Sequence, residues 1–76
     1  MPIGYVLINT ETAHMESVLE ALKKIDAVKE AHMVYGVYDI IVEVETDNMD
    51  RLKEIVTYHI RRLDEVQSTI TLIAME

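Results

Sequence analysis

Cysteine is absent from the chain, which excludes disulfides and thiolate metal sites and fits a reducing compartment. Tryptophan and phenylalanine are absent too. The tyrosines, Tyr5, Tyr35, Tyr38 and Tyr58, do not form the paired strand aromatics with basic neighbours that stack RNA bases. Glycine occurs only at Gly4 and Gly36, so no glycine-rich loop cradles a phosphate. No apolar run approaches transmembrane length and no charged start precedes one as in a signal peptide, so the expected location is cytoplasmic.

Basic residues are scarce: 7 Lys and Arg stand against 14 Asp and Glu, for a formal net charge of -7. That balance repels phosphate backbones and anionic membranes, and it disfavours direct binding of nucleic acid or membrane. A chain of 76 residues makes one domain and buries only roughly 60% of its unfolded surface. Without disulfides, oligomerisation is the expected source of further burial.

What is present reads as alternating elements. Ile3 to Thr10 is a strand apolar on both faces, through Ile3, Tyr5, Leu7 and Val6, Ile8. From Ala13 to Ile25, Met15, Val18, Leu19, Leu22 and Ile25 recur at helical spacing, with Thr10 or Thr12 as the cap. Val28 to Tyr35 and Tyr38 to Glu45 are hairpin arms around Gly36, whose lack of a Cβ permits a positive φ. Asp47 or Asn48 caps a second helix with the stripe Met49, Leu52, Ile55, Val56, His59, Ile60 and Leu63, ending near Arg62. Val66 to Met75 closes the chain as a strand, with Ser68, Ile70, Leu72 alternating against Thr69, Thr71, Ile73.

The two halves resemble each other. Lys23-Lys24-Ile25-Asp26-Ala27-Val28 aligns with Arg61-Arg62-Leu63-Asp64-Glu65-Val66 half the chain later. A repeated strand, helix, strand unit with right-handed crossovers gives an α+β, ferredoxin-like βαββαβ fold: a four-stranded antiparallel sheet with two helices on one face. The helices cover one face only, yet the first strand is apolar on both, so the fold is expected to dimerise by packing sheet on sheet about a two-fold axis.

Chemistry concentrates at one turn, Val34-Tyr35-Gly36-Val37-Tyr38-Asp39, which delivers a carboxylate to the start of the third strand. Asp39 is either a ligand contact or an acceptor for nearby backbone donors. Thr69 and Thr71 share one side of the last strand, with hydroxyls about 7 Å apart by strand rise, although threonine also favours strands for packing alone. If the end of that strand lies near Asp39, or near the same turn of a neighbouring subunit, the carboxylate, two hydroxyls and exposed turn amides match a zwitterion. His14, His32 and His59 lie in different elements without metal-ligand spacing; His14 reads as a surface residue and His59 as a partly buried core residue. Glu43 and Glu45, with Asp47 and Asp50 behind them, read as a solvated rim rather than an acid–base pair, and no activated nucleophile is set beside a base. No metal and no cofactor is implied.

The hairpin motif, together with Asp47-Asn48-Met49-Asp50-Arg51-Leu52 and Val66-Gln67-Ser68-Thr69-Ile70-Thr71, resembles the effector-binding (RAM) module of Lrp/AsnC transcription regulators over nearly the whole chain. The resemblance implies one RAM-like ligand-binding domain over 1–76, binding an amino-acid effector. It also implies homodimers that assemble into higher oligomers with sites between dimers, and a role in transcription regulation rather than catalysis. By matching motif, Gly36, Val37, Tyr38 and Asp39 form one side of the site and Thr69, Thr71 and Ser68 the other. Family members usually carry an amino-terminal helix-turn-helix, whereas here the first strand begins near Met1, so the expectation is a stand-alone module that modulates full-length relatives by co-assembly. Two rivals remain at this point. One is a dimeric α+β barrel enzyme, a cofactor-free monooxygenase or isomerase using His59 with Tyr58 or Tyr5; the other is an interaction domain without a small ligand.

Overall fold

Strict alternation along the first strand builds the centre of the molecule: Val6 and Ile8 are fully buried under the helices, while Tyr5 and Leu7 face the other way. The computed structural model describes residues 1–75, with the side chain of Thr12 outside the described part. Its elements are β1 (Ile3–Thr10), a single tight turn (Thr12–His14) leading into α1 (Met15–Lys23), β2 (Val28–Met33), β3 (Ile40–Glu45), α2 (Met49–Ile55) continued by a wider turn (Val56–Ile60), and β4 (Val66–Ile73). The antiparallel sheet runs β2-β3-β1-β4, the order required by a βαββαβ chain with both crossovers on one face.

The core lies between that sheet and the helices. Val18 and Leu22 of α1 and Leu52 and Ile55 of α2 pack with Val6, Ile8, Ala31, Ile40, Val42 and Val44. Gly4 lets α2 sit close to β1, because a Cβ there would come 3.3 Å from Leu52 Cδ2. Asn48 caps α2, its side-chain oxygen accepting the Arg51 N–H at 2.8 Å, as its type and position predict. The internal repeat survives as geometry. Ile25 N–H donates to Leu22 and Val28 N–H to Ile25, and the same pattern recurs from Leu63 to Ile60 and from Val66 to Leu63.

Four local expectations are corrected. The hairpin arms stop at Met33 and restart at Ile40, because the connection takes six residues and closes through Val34 N–H to the Asp39 carbonyl at 2.9 Å. The first helix is shorter than Ala13 to Ile25, and Thr10 does not cap it: Thr10 belongs to β1, the side chain of Thr12, the other expected cap, lies outside the described part, and among the described residues neither the tight turn nor α1 has a side-chain cap bond. The last strand ends at Ile73 rather than Met75, with one further bond from Ala74 N–H to Ile3.

The fourth concerns His59, which is exposed rather than part of the core. At about 3.6 residues per turn, His59 falls mid-stripe and Ile60 at its edge. The chain instead widens after Ile55, with Arg61 N–H reaching back five residues to Val56 at 3.0 Å. A wider turn advances each residue through a smaller angle, which centres Ile60, fully buried, and rotates His59 to solvent.

One buried polar group stands apart from this economy. Thr10 is 5% exposed and its Oγ1 has no hydrogen-bond partner among the described residues. Replacing an unpaired buried hydroxyl by a methyl of the same shape removes a desolvation cost. Thr10→Val is therefore expected to stabilise the fold, by roughly 1 kcal/mol, read as a raised midpoint in chemical denaturation. An unchanged or lowered midpoint would mean that the hydroxyl is paired.

Candidate functional site

The six-residue connection between β2 and β3 carries strongly exposed apolar side chains. Tyr35 is fully exposed and Val37 is 83% exposed, on either side of Gly36, whose φ is +142°. A Cβ at Gly36 would meet nothing within 4 Å, so conformation rather than space calls for glycine there. Tyr38 and Asp39 are half-buried where the connection returns to the sheet.

Asp39 is held by three backbone links. Its carbonyl accepts from Val34 N–H, its own N–H donates to the Ile8 carbonyl at 2.9 Å, and its Oδ2 accepts the Thr10 N–H at 2.9 Å. The side chain thus adds a rung between β3 and β1 beyond the last backbone pair. This is the structural role that the residue type allowed. It uses one carboxylate oxygen; Oδ1 has no hydrogen bond, and no Lys, Arg or His lies in ion-pair reach among the described residues.

The final strand divides the other sequence-derived candidates between two faces. Thr71 pairs with Val6 and Thr69 with Ile8, so both threonines lie on the helix-covered face, half-buried. Ser68 pairs with Asn9 on the opposite, open face, and its hydroxyl accepts from Asn9 Nδ2 at 3.2 Å. Ile8 also pairs with Ile40, which sets Thr69, Ile8 and Ile40 in one row. Thr69 therefore lies two strand spacings, about 10 Å, from the β3 start where Asp39 sits. The structure brings Gly36, Val37, Tyr38 and Asp39 together and does not bring Ser68, Thr69 and Thr71 of the same protomer to them.

The open face of the sheet is divided by chemistry. One row runs Ile70, Leu7, Ile41, His32 and the next Leu72, Tyr5, Glu43, Glu30. Apolar groups thus cover β4 and β1, with Ile70 at 46% and Leu72 at 52% exposure. Acids gather toward β3 and β2, where Glu45 lies opposite Ile3 and His32 Nε2 is 3.0 Å from Glu30 Oε1. Glu43 and Glu45 accordingly flank the apolar strip without meeting each other in a cleft. Among the described residues, no group of three or more His, Asp and Glu is placed to hold a metal ion, and no helix is long and apolar enough to cross a membrane.

This hairpin and sheet have clear relatives. The Lrp/AsnC ligand binding domain family matches residues 3–76. The chain belongs to that family. A regulatory protein AsnC of Haemophilus influenzae is 38% identical over 74 residues, covering 97% of this chain and 48% of the relative. The crystal structure of FFRP-DM1 superposes with a TM-score of 0.95 at 41% identity, covering 99% of this chain and 100% of that one. Escherichia coli AsnC gives 0.92 at 30% identity, covering 99% of this chain and 51% of that one. The chain thus spans about half the length of the AsnC regulators it matches. An Lrp/AsnC ligand-binding domain is a regulatory domain, not an enzyme. The geometry agrees that the barrel-enzyme residues do not form a site. Tyr5 lies on the open face of the sheet, whereas Tyr58 and His59 are exposed on the wide turn after α2, with Arg62 over the Tyr58 ring at 5.4 Å.

Sequence reasoning missed Thr10. Its amide is the partner that fixes Asp39, and its place in β1 alone gives no hint of that pairing. It also missed the hollow beside the hairpin, lined by Met15, Met33, Val34 and Tyr35. Helical periodicity assigned Met15 to the core, and nothing in the spacing ties it to residues of the turn.

Proposed function

We propose that this chain is an oligomeric amino-acid-binding regulatory module. In this reading dimers form through the open sheet faces, and the effector sits between dimers. Asp39 Oδ1 faces its α-ammonium, and amides of Gly36, Val37 and Tyr38 with Thr69 and Thr71 of a facing subunit hold its α-carboxylate. The observation that carries the reading is Asp39 itself: a fixed, half-buried carboxylate with one oxygen unused and no cation beside it among the described residues. A charge so placed is complementary to a small cationic group and is favoured by charge-assisted hydrogen bonds to one.

The spacing supports a site shared between subunits. The ammonium and carboxylate of one amino acid are only a few ångströms apart, whereas Thr69 of the same protomer is about 10 Å across the sheet from the start of β3. A facing subunit can instead bring its threonines close to the exposed hairpin and to Asp39, so that the two groups grip one zwitterion between protomers. Ser68, turned to the open face, belongs to the sheet interface instead.

Sheet pairing follows from the apolar strip of Leu7, Tyr5, Ile70, Leu72 and Ile41. A two-fold axis buries the strip against its own copy and leaves Glu30, Glu43 and Glu45 at the margin, where they stay hydrated. An effector between dimers then stabilises the assembly that binds it by RT ln(1 + [L]/Kd). Mixed assembly with full-length Lrp/AsnC-type regulators in the cytoplasm lowers the number of DNA-reading domains per complex, and so weakens multivalent binding. The acidic chain itself makes no direct contact with nucleic acid. A thermal-shift screen of the twenty amino acids, with mass measured by light scattering in parallel, tests this. At least one amino acid is expected to raise the melting temperature and to shift the mass. A screen in which no amino acid changes either overturns the sensing role.

A further inference from the structure

The wide turn after α2 does more than centre Ile60. Arg51, Ile55 and His59 follow one another at intervals of four residues, a spacing that keeps side chains on one face of a helix, and all three line a groove beside the link from α1 to β2. Lys24, Ile25, Asp26 and Ala27 of that link form the other wall. The groove has a volume of about 290 Å³, at the lower limit of ligand pockets, which run from roughly 300 to 1,000 Å³. It suits a small molecule.

Its lining joins an apolar floor to a cationic rim. Ile55 is 2% exposed and, with half-buried Ile25 and Ala27, supplies the floor, while exposed Lys24, Arg51 and His59 bring donors to the rim. Lys24 and His59 have no side-chain hydrogen bond or ion pair among the described residues. Arg51 Nη1 meets Glu54 Oε1, but this exposed pair is weak and engages one of five guanidinium donors. Two fixed cations, Lys24 and Arg51, against the one carboxylate of Asp26 leave the lining with a single net positive charge, in a chain whose formal net charge is -7. Helical turns widened in this way recur at functional sites.

We infer that this groove binds a small organic anion with one carboxylate, its charged end on Lys24 and Arg51 and its apolar body over Ile55, Ile25 and Ala27. Charge-assisted hydrogen bonds hold the carboxylate, and burial of the hydrocarbon adds affinity that a bare anion lacks. Asp26 opposes a second negative charge. The place is separate from Asp39: the Ala27 carbonyl accepts from Glu45 N–H at 2.9 Å, at the last residue of β3, whereas Asp39 precedes the first, roughly 20 Å away by strand rise. A ligand without an ammonium group has no use for Asp39.

Amide NMR titration of the purified chain tests this with isovalerate, a branched carboxylate that carries no ammonium, with its neutral counterpart isovaleramide, and with inorganic phosphate. Isovalerate is expected to shift the amides of residues 24–27 and 51–59 saturably, and to bind at least tenfold more tightly than either of the others. Lys24→Gln and Arg51→Gln, both at exposed positions, should each weaken isovalerate at least fivefold. Lys23→Gln removes the same charge one residue outside the groove and should change the affinity less than twofold; the dispersion of each spectrum reports that the variant is folded. No saturable shift, shifts confined to the hairpin, or isovaleramide binding as tightly as isovalerate overturns the anion site. So does an affinity that ignores Lys24→Gln and Arg51→Gln, or that falls equally with Lys23→Gln. Phosphate binding as tightly as isovalerate overturns the apolar body of the ligand.

Discussion

Leu72→Asp is expected to convert the protein from dimer to monomer. Leu72 is half-exposed in the protomer, opposite Tyr5 and in the row that continues through Glu43 and Glu30. The substitution therefore leaves the core under the helices untouched. In the sheet-paired dimer the new carboxylate would be taken out of water without a partner, at a cost on the order of several kcal/mol per ion. The two-fold counts that cost twice. At about 1.4 kcal/mol per tenfold, the dimer dissociation constant should rise at least a thousandfold. Light scattering at micromolar concentration should show the mass falling from twice 8.8 kDa to 8.8 kDa, with the circular dichroism of a folded chain retained. Lys53→Glu, on α2 and away from this face, should leave the mass alone. A wild-type chain that is itself a folded monomer would rule out sheet pairing altogether.

Asp39→Asn is expected to cost about 1.5–3 kcal/mol of amino-acid binding, which is roughly tenfold to more than a hundredfold in affinity. The amide oxygen can still accept the Thr10 N–H, so the rung between β3 and β1 survives and only the charge is lost. Asp39→Ala, by contrast, removes the acceptor as well and should lower the denaturation midpoint. Thr69→Val should weaken binding less, since it deletes one neutral hydrogen bond. Calorimetry with a bound amino acid decides the matter. Affinity unchanged by both Asp39→Asn and Thr69→Val would remove the site from these residues, whatever the family.

Much of the fold was legible because burial dictated it. The alternation of Val6 and Ile8 against Tyr5 and Leu7, the cap at Asn48 and the repeat joining Val28 to Val66 each follow from local rules that the tertiary structure does not override. The position of His59 was not legible, since a wheel drawn with a constant period cannot know that the helix widens after Ile55. The strand limits at Met33 and Ile40 failed for a related reason. Gly36 marks the turn, but the length of the connection is set by the Val34 to Asp39 hydrogen bond, a pairing that residue types alone leave free.

The candidate site was legible as a list of residue types and not as a place. Asp39 stood out because an acid at a strand start needs a reason, and the structure supplies one in Thr10. Thr69 and Thr71 were correctly put on one side of their strand, yet sequence spacing says nothing about which strand lies between them and Asp39. That strand is β1, and its intervention is what turns a cluster of types into a question about neighbouring subunits. Met15 and Met33 could not have been joined by any periodicity, because their meeting depends on how α1 docks beside the hairpin.

The rung made by Asp39 Oδ2 and Thr10 N–H has a consequence for what this position can become. A glutamate is too long to reach the same amide without displacing the strand, an asparagine keeps the rung but surrenders the charge, and a serine keeps neither the length nor the charge. If Oδ1 receives the effector, a single side chain both fastens the sheet and recognises the ligand, and no other member of the genetic code can discharge both duties. Selection for tighter fastening and selection for a different effector head group then act on the same atom pair. In that case a demand for an α-ammonium could not change without loosening the fold.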